Sequence, residues 1–529
     1  MPFNVLLLDS VDPICAEIFR KRGVNADQPE KLSDDELKER IGNYDALVVR
    51  SATTVTKDLL KHATKLQVIG RAGVGVDNID IPAATSKGVL VMNTPDGNTI
   101  STAEHTCGMI ISLARNIPEA VSRVKDGGWD RKKFMGTEVH GKTLGIVGLG
   151  KIGTEVARRM KEFGMELYAY DPFTTHDHAQ SFGVKLVELD ELLSLSDFLT
   201  VHTPLTEKTK GLISLENEAK LKKGMKLVNC ARGGIYEEKD LPALIENGTI
   251  SGVALDVYSA EPPTPELYEI LKNPAVICTP HLGASTEEAQ EKVALQIAEQ
   301  ISDALENKSY KGSLNGKSIA LLTNEAAQPF VELAEKMGQV FGQIMPNNAD
   351  NFSFEYTGEC AKFADVLTDG ILKGMLGQFI DESINLINAR HYAEERGLKI
   401  KETTSNNGKL YKDLITVELG DQSEYRRISA SVFGPGDYRI VEIDGYGIEL
   451  RLEGDILMYQ NQDKPGMLAS VAGALASRNI NIGALSLGRA GKGTNAITAV
   501  IVDKKLDKEE LKSITELKGV DKVKYISLS

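Results

Sequence analysis

The 529-residue sequence predicts an α/β protein of two doubly wound parallel-sheet lobes, followed by a segment of mixed α+β pattern and a ferredoxin-like βαββαβ unit. Three observations point there. Short apolar runs alternate with turns and helical patterns as far as Gly283, which is the grammar of βα units. The runs are continuously apolar, as strands buried on both faces are. One run leads into a G-x-G-x-x-G turn that opens a helical pattern.

In the first lobe the strands are expected in "NVLLLDS" (Asn4–Ser10), "ALVVRS" (Ala46–Ser51), "LQVIGRAG" (Leu66–Gly73) and "GVLVMNTP" (Gly88–Pro95). The second lobe continues with "TLGIVGLG", "ELYAYDP", "FLTVHTP", "MKLVNCARG", "SGVALDVY" and "AVICTPHLG". Two helices are expected to join the lobes. Ser101 with Glu104 forms a capping box ahead of one, and Ser285 with Glu288 repeats it ahead of the other, where Ala289, Val293, Ile297, Ile301 and Leu305 recur at helical spacing. If the second helix returns to the first lobe, the domains are 1–98 with 290–314, then 99–289, 315–454 and 455–529.

A chain this long exceeds what one core serves. With 42% hydrophobic and 26% charged residues it reads as globular, and a net charge of −14 argues against nucleic acid as a partner. The start, "MPFNVLLLDSVD", has no basic leader, and no apolar stretch approaches the roughly 20 residues of a membrane span, so a cytoplasmic protein without a membrane partner is expected. Cys15, Cys107, Cys230, Cys278 and Cys360 show no C-x-x-C spacing, which fits reduced thiols.

The turn Gly148-Leu149-Gly150-Lys151-Ile152-Gly153 follows a strand, precedes "TEVARRMKEF" and is followed, 18 residues after Gly153, by Asp171 at the next strand's end. That context is the dinucleotide fingerprint. The glycines let a pyrophosphate approach a helix N-terminus, and Asp171 can bind the adenosine ribose while repelling a 2′-phosphate, so NAD is favoured over NADP. The alternative is a glycine turn used only for packing.

Ligands of open α/β sheets lie beyond the carboxyl ends of the strands. Arg232 follows "LVNCA", Asp256 follows "VAL", Glu261 follows "VYSA" and His281 follows "VICTP". Removing a hydride from a hydroxyl carbon requires a base for the hydroxyl proton, a cation for a carboxylate or forming carbonyl, and a group that orients the base. His281, Arg232 and Glu261 are those three types. A histidine closing an apolar run is otherwise an ordinary packed residue, so its role depends on these neighbours.

With "RAGVGVDNID", "MNTPDGN", "GLGKIG", "VHTPLT", "NCARGG", "ALDVYSAEPP" and "PHLGAS", the first two lobes resemble the D-2-hydroxyacid dehydrogenases. The resemblance implies Arg232, Glu261 and His281 as the catalytic trio, with Glu261 orienting the imidazole and raising its pKa. It implies NAD as cofactor, held by Val74, Gly148, Gly150, Lys151, Ile152, Gly153, Asp171, Thr203, Cys230, Ala231, Arg232, Asp256, His281, Gly283 and Ala284. Its further implication is oxidation of 3-phosphoglycerate to 3-phosphohydroxypyruvate, the first step of L-serine biosynthesis. Another D-2-hydroxy acid, such as 2-hydroxyglutarate or glycerate, and an NAD-sensing corepressor-like protein are the alternatives.

For the substrate, the resemblance puts Arg50 and Ser51 against a phosphate or carboxylate, together with the backbone at Val74 and the amide of Asn98. Arginine's planar fork suits a phosphate; the other reading of Arg50 is a salt-bridged surface residue. In "GGWDRKKF", Trp129 is expected at a homo-oligomer interface, dimer or tetramer, with Arg131 or Lys132 reaching the neighbour's anion, unless Trp129 merely fills a core. The "HDH" cluster, His176 to His178, is expected as a solvated loop, and no metal is expected.

Residues 315–454 resemble the intervening domain of the family's long form, with anion binding and tetramer contacts both open. The last segment gives strand (Ile456–Tyr459), helix (Met467–Ser477), two strands (Asn481–Leu487, Ala496–Val502), helix (Lys508–Leu517) and strand (Val523–Leu528). With "NQDKPGMLASVAGAL" and "RNINIGALSL" it resembles an ACT regulatory domain. The resemblance implies L-serine as effector, and Asn461, Asp463 and Asn481 are expected to line its site where two such domains pair.

Overall fold

The computed structural model of the chain describes residues 2–344, 350–380, 383–405, 410–420, 426–489, 491 and 494–528. Strands β1 (Asn4–Leu7), β2 (Asn25–Asp27), β3 (Ala46–Val49), β4 (Val68–Arg71) and β5 (Leu90–Asn93) form a parallel sheet in the order β2-β1-β3-β4-β5. The four expected strands are present, and β2 is added. Its three residues, Asn25, Ala26 and Asp27, are too few and too polar to give an apolar run.

The continuous apolar character of these strands reflects burial on both faces. Val5 and Leu7 pack with Val293 and Ile297, whereas Leu6 and Leu47 pack with Leu59 and Leu60 on the other side. The helix Glu287–Leu305 thus lies on this sheet, so close to β4 that a Cβ at Gly70 would stand 2.4 Å from the Ile301 side chain.

Strands β6 (Thr143–Val147), β7 (Glu166–Tyr170), β8 (Lys185–Leu186), β9 (Phe198–Val201), β10 (Met225–Asn229), β11 (Ile250–Leu255) and β12 (Val276–Cys278) form a second parallel sheet. Its order is β12-β11-β10-β9-β6-β7-β8. The order reverses between β6 and β9, and the crevice at their carboxyl ends is where an open sheet holds its ligand.

Both capping boxes differ from expectation. The helix Thr99–Arg115 starts at Asn98 without a side-chain cap, and the Ser101 hydroxyl instead meets that of Thr286 at 2.8 Å. At the second helix the cap is Thr286, one residue after Ser285, accepting from the Ala289 amide. The HDH segment is not a loop: His176–Ser181 is a short helix capped by Thr175.

A third, mixed sheet contains β13 (Asn351–Thr357), β14 (Lys399–Ser405), β15 (Leu414–Leu419), β16 (Arg426–Gly434), β17 (Asp437–Ile443) and β18 (Tyr446–Arg451), in the order β14-β13-β15-β16-β17-β18. The last is β19 (Asp455–Gln462), β20 (Ile482–Arg489), β21 (Asn495–Val502) and β22 (Val520–Ser527), antiparallel in the ferredoxin-like order β20-β21-β19-β22. Alternate residues of β19 serve two cores. Leu457 and Tyr459 pack under the two helices of their own unit, while Ile456 and Met458 join Phe341 and Phe352 of the preceding domain. That domain is joined to the first lobe by Asn385 and Asn388, whose amides donate to the carbonyls of Gly88 and Ser86. Among the described residues, no helix is long and apolar enough to cross a membrane, and all five cysteines are free.

Candidate active site

The second sheet builds a dinucleotide cradle at its switch point. Gly148, at the end of β6, has φ = 91°, and a Cβ there would lie 2.7 Å from the His202 carbonyl. Three residues into the helix, a Cβ on Gly153 would stand 2.2 Å from the Gly148 carbonyl, so glycine lets the helix Lys151–Glu162 start against the strand. That helix has no side-chain cap, space is open beside Gly150, and its first amides face the crevice end of β6. Asp171, after β7, accepts from the amides of Leu149 and Phe173, which places its carboxylate beside the glycine turn. The Thr203 hydroxyl, after β9, is buried without a partner, and Lys151 pairs across the cleft with Asp96. An uncapped helix start, open space at a glycine, a carboxylate at the neighbouring strand end and an unpartnered hydroxyl suit a dinucleotide.

Strands β10, β11 and β12 lead into the segments that carry Arg232, Asp256, Glu261 and His281. His281 Nδ1 lies 2.6 Å from Glu261 Oε2, and Glu261 Oε1 accepts from the Tyr258 amide at 3.1 Å. The hydrogen bond to Glu261 raises the His281 pKa above its ordinary value against partial burial, and the nearby Arg232 charge opposes the rise. Asp256 is 1% exposed and takes the amides of Leu282 and Gly283 and the Thr279 hydroxyl. Burial alone would raise its pKa; the bonds from His105, Thr279 and Leu282 outweigh this and hold it below the ordinary carboxylate range. Ala231 lies between Cys230 and Arg232, and Ala284 closes the turn by accepting from Gln290. Burial pushes the Cys230 thiol up to about 12, so it is neutral at pH 7 and no nucleophile.

The first lobe supplies cations opposite this edge. Arg50 ends β3 in a turn fixed from both sides: Asp9 accepts from the amides of Arg50 and Thr53, and Asn78 donates to their carbonyls. Ser51 lies exposed on the same turn. Asn93 donates to the Val74 carbonyl, and the carbonyl oxygen of the Asn98 side chain is buried without a partner. Arg232 Nε reaches across the cleft to Asp77 at 3.0 Å and lies against Gly75, where a Cβ would meet Nη2 at 2.2 Å.

Arg71, at the end of β4, was not singled out from the sequence. Burial, then the charges of Arg232 and Arg50, push its pKa down to about 10, and its Nε has no partner. Arg71 thus lies close enough to Arg232 and Arg50 for both charges to lower its proton affinity. The signal was available: Arg71 closes "LQVIGR" as Arg50 closes "ALVVR". Glu238 was missed too; it accepts from the amide and hydroxyl of Ser259 and so supports the loop carrying Glu261.

Other expected residues stand apart. Trp129 is 75% exposed and fills no core of its own chain; Arg131 and Lys132 are exposed on the same segment. Asn461 is buried, accepting from Thr498 and donating to the Gln462 carbonyl. Asp463 faces Arg489 beyond the end of β19, whereas Asn481, bonded to Asp503, precedes β20 at the opposite end of the sheet. The three do not meet within one chain, because β20 and β21 run antiparallel over their full length.

Comparison with known proteins places the chain in a family. Residues 107–283 match the model of the D-isomer specific 2-hydroxyacid dehydrogenase NAD-binding domain, 326–444 that of the D-3-phosphoglycerate dehydrogenase intervening domain, and 456–519 that of the ACT domain. The chain is 41% identical to the D-3-phosphoglycerate dehydrogenase of Bacillus subtilis, over 93% of each chain. It is 39% identical to that of Archaeoglobus fulgidus, over 99% of this chain and 100% of that one. A solved Aquifex aeolicus D-lactate dehydrogenase, complexed with NAD and lactic acid, superposes with a TM-score of 0.51 at 27% identity, covering 57% of this chain and 95% of its own.

The His281–Glu261 pair yields a test with a definite sign. A base must be deprotonated to act, so the raised His281 pKa places the acidic limb of the pH–rate profile above the ordinary histidine value. Glu261→Gln removes the main cause of the rise, and the limb is expected to move to lower pH with reduced turnover. His281→Asn is expected to lower turnover by roughly 100-fold or more while keeping NAD affinity. Steady-state rates across pH decide both: an unmoved limb leaves Glu261 a packing residue, and unchanged turnover with rate-limiting chemistry removes His281 from the reaction.

Proposed function

The chain belongs to the D-2-hydroxyacid dehydrogenase family, among its D-3-phosphoglycerate dehydrogenases, and on that premise we propose how its residues carry out the NAD-dependent oxidation of 3-phospho-D-glycerate to 3-phosphohydroxypyruvate, the first step of L-serine biosynthesis. The observation that carries the reading is the His281–Glu261 pair with the Arg232 charge close enough to act on His281, and Arg50 and Arg232 close enough to act on Arg71. His281, held at Nδ1, takes the C2 hydroxyl proton at Nε2 as the carbonyl forms. Arg232 binds the carboxylate and polarises the new carbonyl; Arg50 and Arg71 take the phosphate, with Ser51, the backbone at Val74 and Asn98 beside them. NAD, when bound, would supply the acceptor for the hydride of C2. Lys151, Ile152 and the glycines Gly148, Gly150 and Gly153 receive its pyrophosphate, Asp171 its ribose, and Thr203, Cys230, Ala231, Asp256, Gly283 and Ala284 its nicotinamide half.

The division into 1–98 with 290–314, 99–289, 315–454 and 455–529 follows from the same reading. A homo-oligomer in the cytoplasm completes it. The helix Ile117–Lys125 has no buried residue, and Ile117, Val121, Val124 and Trp129 are exposed in sequence along it and the next turn. Such a face supports association with a second copy, bringing Arg131 toward the neighbour's anion.

Substrate choice is tested at Arg50. Arg50→Ala is expected to raise KM for 3-phosphoglycerate at least tenfold, about 1.4 kcal/mol, while changing kcat/KM for D-glycerate much less. Equal losses on the two acids would place Arg50 on the carboxylate or outside the pocket.

Regulation by serine through the C-terminal domain is the finer part of the proposal. Gly466, with φ = 91°, starts the helix Met467–Ala476 without a side-chain cap, which leaves amides for a carboxylate beside Asp463. Asn481 lies at the far end of the sheet, so the site requires two domains paired head to tail, each giving one end. Asn481→Ala is expected to raise the serine concentration for half inhibition at least tenfold, about 1.4 kcal/mol, with uninhibited turnover nearly unchanged. Wild-type protein that binds no serine by calorimetry and keeps its rate in millimolar serine would remove the regulatory reading and leave the catalytic one.

A further inference from the structure

His281 adopts φ = 55°, a left-handed conformation that is unfavourable for a non-glycine residue. The surrounding turn must hold it there. Asp256 takes the amides of Leu282 and Gly283, the two residues after His281, at 2.7 and 2.8 Å, and Tyr258 donates its hydroxyl to the Thr279 carbonyl at 2.7 Å. Those bonds fix the turn to its own sheet.

A second set fixes it to the helix Thr99–Arg115. Ser101 Oγ meets Thr286 Oγ1 at 2.8 Å, Thr102 Oγ1 donates to the Gly283 carbonyl at 3.1 Å, and His105 Nε2 lies 3.1 Å from Thr279 Oγ1 and 3.2 Å from Asp256 Oδ1. Residues 101, 102 and 105 lie along one side of the helix, so it grips the turn after its end, in its middle and before His281. His105 has the widest consequence of the three, because Asp256 Oδ1 also receives Thr279 and Leu282. A carboxylate as buried as Asp256 keeps its place only while its donors are complete. The helix also begins directly after Asn98, so the residues that hold His281 are continuous with that loop.

We propose that His105 is a positioning residue for the dehydrogenase reaction: through Asp256 and Thr279 it fixes the turn that presents His281 and links that turn to the helix entering from the substrate loop. The inference rests on His281 as the base. His105→Leu is expected to lower kcat by about tenfold, the scale of effect from misplacing a catalytic group, with KM for 3-phosphoglycerate changed less than threefold. In His105→Gln the amide nitrogen reaches the same place, and recovery to within threefold of wild type is expected. Thermal melting checks folding, and should the leucine variant fail to fold, Thr279→Val, which removes the hydroxyl between His105 and Asp256, is expected to show the same loss of kcat. Turnover of His105→Leu within twofold of wild type, or glutamine as impaired as leucine, overturns the proposal. His281→Asn in the same assay separates the two claims: if it alone is inactive, the base stands and the clamp fails, whereas an active His281→Asn removes the base itself.

Discussion

Three like charges held near one another are the constraint on which the site depends. Arg50, Arg71 and Arg232 come from the ends of β3, β4 and β10, and their mutual repulsion, added to burial, lowers the pKa of Arg71. Such a cluster is unfavourable unless anions offset it. Asp77 meets Arg232 from the opposite lobe, while Asp9 fixes the backbone of the turn that carries Arg50. A ligand bearing both carboxylate and phosphate is the kind of anion that such a cluster of cations favours.

The remaining chemistry follows from how parallel sheets end. Each β-strand of the second sheet stops at the same edge, so Arg232, Asp256, Glu261 and His281, far apart in the chain, become neighbours without any loop having to search for another. The carboxylates divide the work by environment. Asp256 is fully buried and fixes backbone; Glu261 is partly exposed and sets the orientation and proton affinity of His281. The third domain and the C-terminal βαββαβ domain share one core through Ile456 and Met458, and the third domain is joined to the first lobe at Asn385 and Asn388.

Much of this was legible in the residues because the dominant signals are local. Continuous apolar runs marked the long strands, and the glycine turn with Asp171 marked the cradle. The strand-end positions marked Glu261 and His281, which the structure pairs. What escaped depended on tertiary context. Strands β2 and β8 are too short to have a pattern. Ser101 and Ser285 satisfy the letter of a capping box, yet Ser101 is committed to Thr286 and the second cap falls on Thr286 itself. Asn461 looked like a ligand group because asparagine often sits exposed at strand ends, but its amide is spent inside the sheet. Arg71 escaped because nothing local in "LQVIGR" shows that this strand-end guanidinium is buried near Arg232 and Arg50.

The central claim is that the paired carboxylate and phosphate of the substrate, met by three arginines, select the reaction. The most direct measurement is NAD reduction by the wild-type protein across a panel of D-2-hydroxy acids at fixed ionic strength, comparing 3-phosphoglycerate with glycerate, lactate and 2-hydroxyglutarate. The expected result is a kcat/KM for 3-phosphoglycerate at least 100-fold above each acid lacking the phosphate, about 2.7 kcal/mol of discrimination. Comparable values for an unphosphorylated acid would contradict it, since the pocket would then be reading only the carboxylate.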